Sequence, residues 1–406
     1  MKVSAVAPAL RQPPPQGLPL RVGIVGLGAA GQAFIPALAK HPGWQWVAGA
    51  ETSAVVRDSL ARKHGLPMWN SLPEMLSHAA LDAVLVATPT PWHALHVQQA
   101  AAAGKHVLVE KPLAVNLPDA QAMVAACENA GVALVVGHSH SHDLPIRRMR
   151  ELIASGELGP VQMAHTWCFS DWVYRPRRPE ELDEGQGGGV TFRQGSHQFD
   201  VLRFLCGGRA RSVRAKVFDW NAKRRVTGAH TVFIDFEDGP VATAVYNGYG
   251  GLASMDLCFD ISEWGFQQPP GQRPLHPLRA VPAMAATAAE EALAKQARAA
   301  SAIPADAPFQ PFFGLTVVSC QHGDIRQSPS GLLVHGRDGQ REIVLPLDKT
   351  PRDLVLNEWH EAICGEAAPV HDGRWGLANL EVCIAALASS HSGQEVMLQQ
   401  QVAWQA

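Results

Sequence analysis

The 406-residue chain has no apolar run long enough to cross a bilayer. Its charges nearly cancel, with 34 Lys and Arg against 37 Asp and Glu and a formal net charge of −3, so nothing electrostatic draws it to nucleic acid or to an anionic membrane. Its seven cysteines (127, 168, 206, 258, 320, 364, 383) are scattered with no C-x-x-C pair. That argues against a disulfide framework and against a zinc site, so no metal is expected and a reducing cytoplasm suits the chain. The first twenty residues are rich in Ala, Pro and Gln and lack a basic segment leading into a sustained apolar stretch; they read as a disordered leader, 1–20, and not as a signal peptide. What the chain does have is length for two domains and 47% hydrophobic residues to fill two cores.

The string Gly26-Leu27-Gly28-Ala29-Ala30-Gly31 follows the β-branched run Arg21–Val25 and precedes a helix-forming stretch from Gln32 to Leu38. This is the strand–turn–helix setting that the dinucleotide fingerprint G-x-G-x-x-G requires. Gly26 allows the tight turn, Gly28 lets the backbone approach a pyrophosphate, and Gly31 lets helix and strand pack closely. The helix N-terminus offers backbone N–H groups to the anion. A second strand, Trp46–Ala50, ends in Glu51, twenty positions after Gly31. An acidic side chain there accepts from the ribose hydroxyls and repels a 2′-phosphate, so NAD is expected in preference to NADP.

From residue 21 to about 140, strand candidates (21–25, 45–50, 83–87, 106–109, 132–136) alternate with helix candidates (53–64, 73–79, 93–103, 118–130). Such alternation indicates a parallel sheet covered on both faces, an α/β domain over 21–142. A helix candidate at 145–155 opens a different texture, with longer β-type runs at 161–169, 211–218, 229–237, 240–247, 315–320, 331–335 and 341–347. Glu237-Asp238-Gly239 and Asp338-Gly339 are hairpin turn signals. With helices at 351–364 and 375–390 packed against it, a mostly antiparallel sheet makes 143–406 an α+β domain. Residues 265–313, with an alanine-rich and helix-prone stretch at 283–300, read as an insertion.

Thr88-Pro89-Thr90-Pro91-Trp92-His93 and Glu110-Lys111-Pro112 each follow an apolar strand and so fall at strand carboxyl ends, where a cofactor lies. A lysine held there can donate to a substrate oxygen and stabilise negative charge developing on it. His197, with an unperturbed pKa of about 6.5, suits removal of a hydroxyl proton. Three histidines alternate in Gly137-His138-Ser139-His140-Ser141-His142 and would share one face of a strand. With no supporting cysteine or carboxylate evident, they are not taken as a metal site.

Together these motifs, with Gly187-Gly188-Gly189 leading to Gly195-Ser196-His197-Gln198-Phe199-Asp200, resemble the Gfo/Idh/MocA oxidoreductases in order and spacing. The resemblance covers essentially everything after residue 20. It implies a Rossmann-like domain joined to an open-faced sheet domain, a homodimer or homotetramer, and Lys111 and His197 as catalytic residues. The cofactor-binding set expected on these grounds is Gly26, Leu27, Gly28, Ala29, Ala30, Gly31, Glu51, Thr88, Pro89, His93, Glu110 and Lys111.

One departure narrows the substrate. Alcohol dehydrogenases of this family carry aspartate four residues before the histidine, and this chain has Arg193 there. On a continuous helix 193, 197 and 200 would share one face, and the guanidinium would favour a neutral His197. A fixed guanidinium also suits a carboxylate. Arg147 and Arg148, and the run Trp172-Val173-Tyr174-Arg175-Pro176-Arg177-Arg178, add cations in candidate substrate-facing segments. Arg193, Arg175, Arg178 and Tyr174 are the expected substrate contacts. The strings Arg193–Gln198, Tyr246–Gly250 and Gly323–Pro329 resemble the phthalate 4,5-cis-dihydrodiol dehydrogenase branch of the family. That resemblance implies a small anionic, aromatic-derived substrate, oxidised to a catechol dicarboxylate in aromatic catabolism. A sugar, inositol or sugar-acid dehydrogenase and a non-catalytic NAD-binding regulator are the alternatives.

Overall fold

The computed structural model describes residues 18–269, 287, 290, 291, 293–295 and 307–404. The leader expected at 1–20 lies outside the described residues up to position 17, as does most of the alanine-rich stretch 283–300; within it, 290, 291 and 293–295 are helical. The chain divides into two compact units, one of 1–137 with 352–377 and 405–406, the other of 138–351 with 378–404.

The first unit holds β1 (Leu20–Val25), α1 (Ala29–Lys40), β2 (Trp44–Ala50), α2 (Ala54–His64), β3 (Met68–Trp69), α3 (Leu72–His78), β4 (Ala83–Val86), α4 (His93–Ala102), β5 (His106–Glu110), α5 (Leu117–Ala130) and β6 (Leu134–Gly137). The six strands form one sheet in the order β3-β2-β1-β4-β5-β6. Every pairing is parallel. The β-branched runs explain this: β4 is buried at all four positions, as a strand covered on both faces must be. α5 starts where Asn116 accepts from the Asp119 N–H at 2.8 Å and Pro118 stands in the first turn. Strand order reverses between β1 and β4, which puts the ligand crevice at their carboxyl ends.

The second unit holds α6 (Leu144–Ala154), β7 (Val161–Phe169), α7 (Gly189–Arg193), α8 (Gly195–Leu205), β8 (Ala210–Phe218), β9 (Ala229–Phe236), β10 (Val241–Asn247), β11 (Leu315–Cys320), β12 (Gly323–Gln327), β13 (Gly331–Gly336) and β14 (Gly339–Val344). After α9 (Pro351–Cys364) and α10 (Gly373–Ser392), β15 (Val396–Met397) completes a nine-stranded sheet in the order β14-β13-β12-β11-β7-β10-β9-β8-β15. Only β7 and β10 pair in parallel. The hairpins signalled at 237–239 and 338–339 are the β9–β10 and β13–β14 connections.

Two expectations need correction. Residues 352–377 belong to the first unit, not to the sheet domain, and the boundary falls at 137/138 instead of 142/143. The cause is apolar packing. Val355, Leu356, Trp359 and Ile363 of α9 join the core of Leu20, Val22, Ile24, Phe34 and Trp44. Trp359 stacks on Trp44 at 4.3 Å, and the Trp44 indole N–H donates to the Leu356 carbonyl at 3.1 Å. Downstream, the Val136 N–H donates to the His371 carbonyl at 2.8 Å, so returning chain covers the outer edge of β6. Among the described residues no helix is long and apolar enough to cross a membrane.

Candidate active site

In the first unit the expected cofactor residues gather at one sheet edge. Val25, Val86 and Val109 stand in register across β1, β4 and β5. Leu27, Thr88 and Lys111 each follow two residues beyond that row. The glycine loop is built to the backbone's limits. Gly26 has φ +86°, and a Cβ there would lie 2.7 Å from the Ala87 and Thr88 backbone. At Gly31 a Cβ would lie 2.2 Å from the Gly26 carbonyl oxygen, so only glycine lets α1 lie against the turn. Gly28 caps α1 with no side-chain hydrogen bond, so no side chain caps the first-turn amides that an anion could use.

Glu51 caps β2 and accepts from the Leu27 N–H at 2.8 Å and the Ser53 N–H at 2.9 Å. It therefore fixes the glycine loop as well as presenting negative charge. His93 serves as a brace. It is 1% exposed, with Nε2 2.9 Å from the Thr88 carbonyl and Nδ1 3.1 Å from that of Pro112. It thereby ties the Thr88-Pro89 turn to the Glu110-Lys111-Pro112 turn. Lys111 is half-buried and joined to Pro112 by a cis bond.

In the second unit His197 opens α8, 6% exposed. Two buried amides hold that turn: Asn379 donates to the Ser196 carbonyl at 2.8 Å, and Gln198 donates to Thr166 Oγ1 at 3.0 Å and to the Val245 carbonyl at 3.0 Å. The helix expected to run through 193, 197 and 200 is interrupted. Gln194 (φ −120°, ψ −39°) separates α7 from α8. Arg193 and His197 consequently have different neighbours. The His197 ring meets His140 edge-on at 4.5 Å between centroids and Phe313 at 5.1 Å.

The three alternating histidines do not share a strand face, because β6 stops at Gly137 and 140–142 form a single 3-10 turn. His140 instead sits between two carboxylates, with Nδ1 3.1 Å from Asp143 and Nε2 3.4 Å from Glu263. Burial alone would lower its pKa, but Asp143 and Glu263 prevail and push it up to about 9.

The arginines converge on one carboxylate. Glu181, with a side chain only 4% exposed, faces Arg193 at 3.7 Å and Arg177 at 3.5 Å and pairs with Lys295. Burial would raise its pKa; Arg193, Lys295 and Arg177 overrule that and hold it down to about 2. Arg177 also lies 4.0 Å over the Trp172 ring. Arg175 pairs with Asp171 at 2.6 Å, and Arg178, 40% exposed, reaches only to 3.9 Å from Glu180. Tyr174 is half-buried beside them. Arg224 pairs with Glu291, whose other oxygen accepts from the Arg177 N–H at 2.9 Å.

Sequence reasoning missed Glu181, Glu291, Lys295 and Phe313, and weighed His140 only as a metal ligand. Two signals were there to be found: His140 and Asp143 stand three apart, and Arg177 and Glu181 stand four apart.

Comparison with known proteins bears on the family and the fold. Residues 20–138 match the Gfo/Idh/MocA oxidoreductase family with its NAD-binding Rossmann fold, and residues 146–253 match the Gfo/Idh/MocA C-terminal domain. The chain belongs to the Gfo/Idh/MocA family and is an NAD-dependent oxidoreductase, which sets aside the reading as a non-catalytic regulator. It is 36% identical over 375 residues, 91% of its own length and 94% of the relative's, to the 1-carboxy-3-chloro-3,4-dihydroxycyclohexa-1,5-diene dehydrogenase of Comamonas testosteroni. It is similar to a crystal structure from Bordetella bronchiseptica RB50 with a TM-score of 0.87 and 37% identity, covering 94% of this chain and all of that one. An inositol 2-dehydrogenase of Saccharopolyspora erythraea is 36% identical over 189 residues, which is 46% of this chain and 53% of that protein.

Proposed function

We propose that this enzyme oxidises a carboxylated cis-dihydrodiol of an aromatic ring to the catechol, with 4,5-dihydro-4,5-dihydroxyphthalate as the expected substrate. One observation carries the reading: in the second unit, three cations converge on the single buried carboxylate of Glu181. Such a cluster is suited to an anionic ligand. The likeness to a dehydrogenase whose name specifies a carboxylated dihydroxycyclohexadiene supports it across most of the chain. The likeness to an inositol dehydrogenase spans under half of it, which makes a polyol or sugar acid the second choice.

NAD, when bound, supplies the hydride acceptor. Its diphosphate fits the amides of Gly26–Gly31 and its ribose fits Glu51, a carboxylate that disfavours a 2′-phosphate. His197 takes the proton of one ring hydroxyl as the carbinol carbon loses hydride. Lys111 donates to a substrate oxygen and steadies its developing charge. The resulting hydroxyketone loses its remaining carbinol C–H proton and regains a proton on oxygen, which restores the aromatic ring. The sum is dihydrodiol plus NAD⁺ giving catechol, NADH and a proton. Arg193 and Arg175 orient the substrate carboxylates. The seven cysteines, all unpaired and six of them buried, suit a cytoplasmic enzyme of aromatic catabolism.

The test is NADH formation from NAD⁺ and the cis-4,5-dihydrodiol of phthalate, with inositol and common sugars in parallel. Rapid turnover of the dihydrodiol alone is expected. Turnover confined to a polyol or a sugar acid overturns the substrate assignment.

A further inference from the structure

The His140 ring stands edge-on to His197, 4.5 Å away between centroids. Its own surroundings leave it little freedom, because both nitrogens face carboxylates and its ring stacks on Phe313 at 4.2 Å with 22° between planes. It is 5% exposed, so water screens little of its charge. We propose that His140 is a positioning residue for His197: as a clamped imidazolium set edge-on to the His197 ring, it fixes that ring and keeps it neutral, ready to accept a proton. The inference rests on the role of His197 given above.

Several other charged and titratable groups near the pair are neutral or engaged elsewhere. From β7 and β10, burial holds both the Cys168 thiol and the Tyr246 hydroxyl well above their usual ranges, so both stay neutral. Burial brings His230, hydrogen-bonded to Gln198 at 2.9 Å, down to about 3, so it is neutral as well. Arg193 on α7 faces Glu181. On α6, Arg150 lies 4.0 Å over Trp404 and donates to the Leu205 carbonyl at the far end of α8, and Arg148 pairs with Glu151. His142 bonds to the His138 carbonyl at 2.8 Å, and Arg175 pairs with Asp171. Asp143 and Glu263 are engaged by His140 itself, and Asp200, three residues after His197 on α8, is a further buried acid beside the pair. At 4.5 Å between centroids, the charge of His140 acts directly on the His197 ring.

Two variants separate charge from packing. His140→Phe keeps a ring against Phe313 and His197 but loses the charge. His140→Gln keeps polar groups toward Asp143 and Glu263 but also loses the charge. The primary readout needs neither cofactor nor substrate. It is the pH titration of the His197 imidazole by NMR in the full chain with isotope-labelled histidine, the signal being assigned by its loss in His197→Gln. Removing a like charge makes His197 easier to protonate, so its midpoint is expected to rise by about one to two pH units in both variants. The acid limb of kcat/KM is expected to rise by the same amount. A midpoint that stays put in a variant retaining the wild-type melting temperature overturns the proposal and leaves His140 a packing residue. A shift in only one variant also overturns it, because the effect then follows shape or hydrogen bonding instead of charge. Failure to oxidise the dihydrodiol would overturn the substrate assignment and leave this titration intact.

Discussion

A guanidinium 3.7 Å from a carboxylate oxygen makes a loose pair, and Arg193 and Glu181 form one. Glu181 serves Arg177 and Lys295 as well. A substrate carboxylate offers a stronger partner, since bidentate guanidinium–carboxylate contacts are shorter and better aligned. Arg193→Ala is expected to raise KM for a dicarboxylate substrate about 10- to 100-fold while changing kcat less, because the contact forms in ground and transition states alike. Steady-state kinetics with the dihydrodiol check this, and an unchanged KM removes Arg193 from substrate binding. Arg193 was legible in the sequence because it breaks the family's pattern at a fixed distance from His197. Its partner was not, because an acidic residue after an arginine run reads equally well as solvated surface. His140 escaped for a related reason. The alternating histidines suggested a strand, whereas β6 ends one residue before them and the chain turns there.

Elements show the same division between local pattern and tertiary choice. The parallel strands were readable because β4 and the inner part of β5 are continuous apolar runs, and the glycine loop because its neighbours on both sides fit a strand and a helix. β3 was missed because it has only two residues, paired with Gly49 and Ala50 at the sheet's edge. β12 was missed because Gly-Asp-Ile-Arg-Gln holds a single apolar residue, Ile325, buried between charged neighbours. The bounds of α9 were legible but its destination was not. An amphipathic helix announces that it buries a face without naming the sheet that receives it, and chain order pointed to the wrong one. At the glycine loop the element itself can be tested. Gly31→Ala places a methyl 2.2 Å from the Gly26 carbonyl oxygen, a contact that only a shift of α1 away from the turn can relieve. NADH affinity is expected to fall about 100-fold or more by fluorescence titration, equivalent to about 2.7 kcal/mol. Since α1 also contributes Phe34 and Leu38 to the core, some loss of melting temperature should accompany it. Unaltered NADH binding would contradict the packing role given to this glycine.

For the molecule as a whole, the surface left bare by the nine-stranded sheet matters most. Along β7, Ala164, Thr166 and Cys168 point into the core, and Met163, His165 and Trp167 point out. Met163 and Trp167 are each 43% exposed, as is Phe233 on β9. Val241 and Val245 on β10 lie between these strands and are only half-buried. Exposed apolar side chains on one sheet face, here interspersed with His165, Thr231, Asp235 and Thr243, are costly in water and mark a surface that associates. A second copy of the chain is the economical occupant, because a two-fold axis lets one patch cover itself without any complementary surface elsewhere. Sedimentation equilibrium is therefore expected to give the mass of a dimer or tetramer. Trp167→Asp, which sets like charges against each other across such an axis, is expected to shift that mass toward the monomer. The substitution faces solvent in the single chain, so the fold should survive it and far-UV circular dichroism should not change. A wild-type monomer at micromolar concentration, or a Trp167→Asp variant that stays assembled, would mean that this face is not the interface.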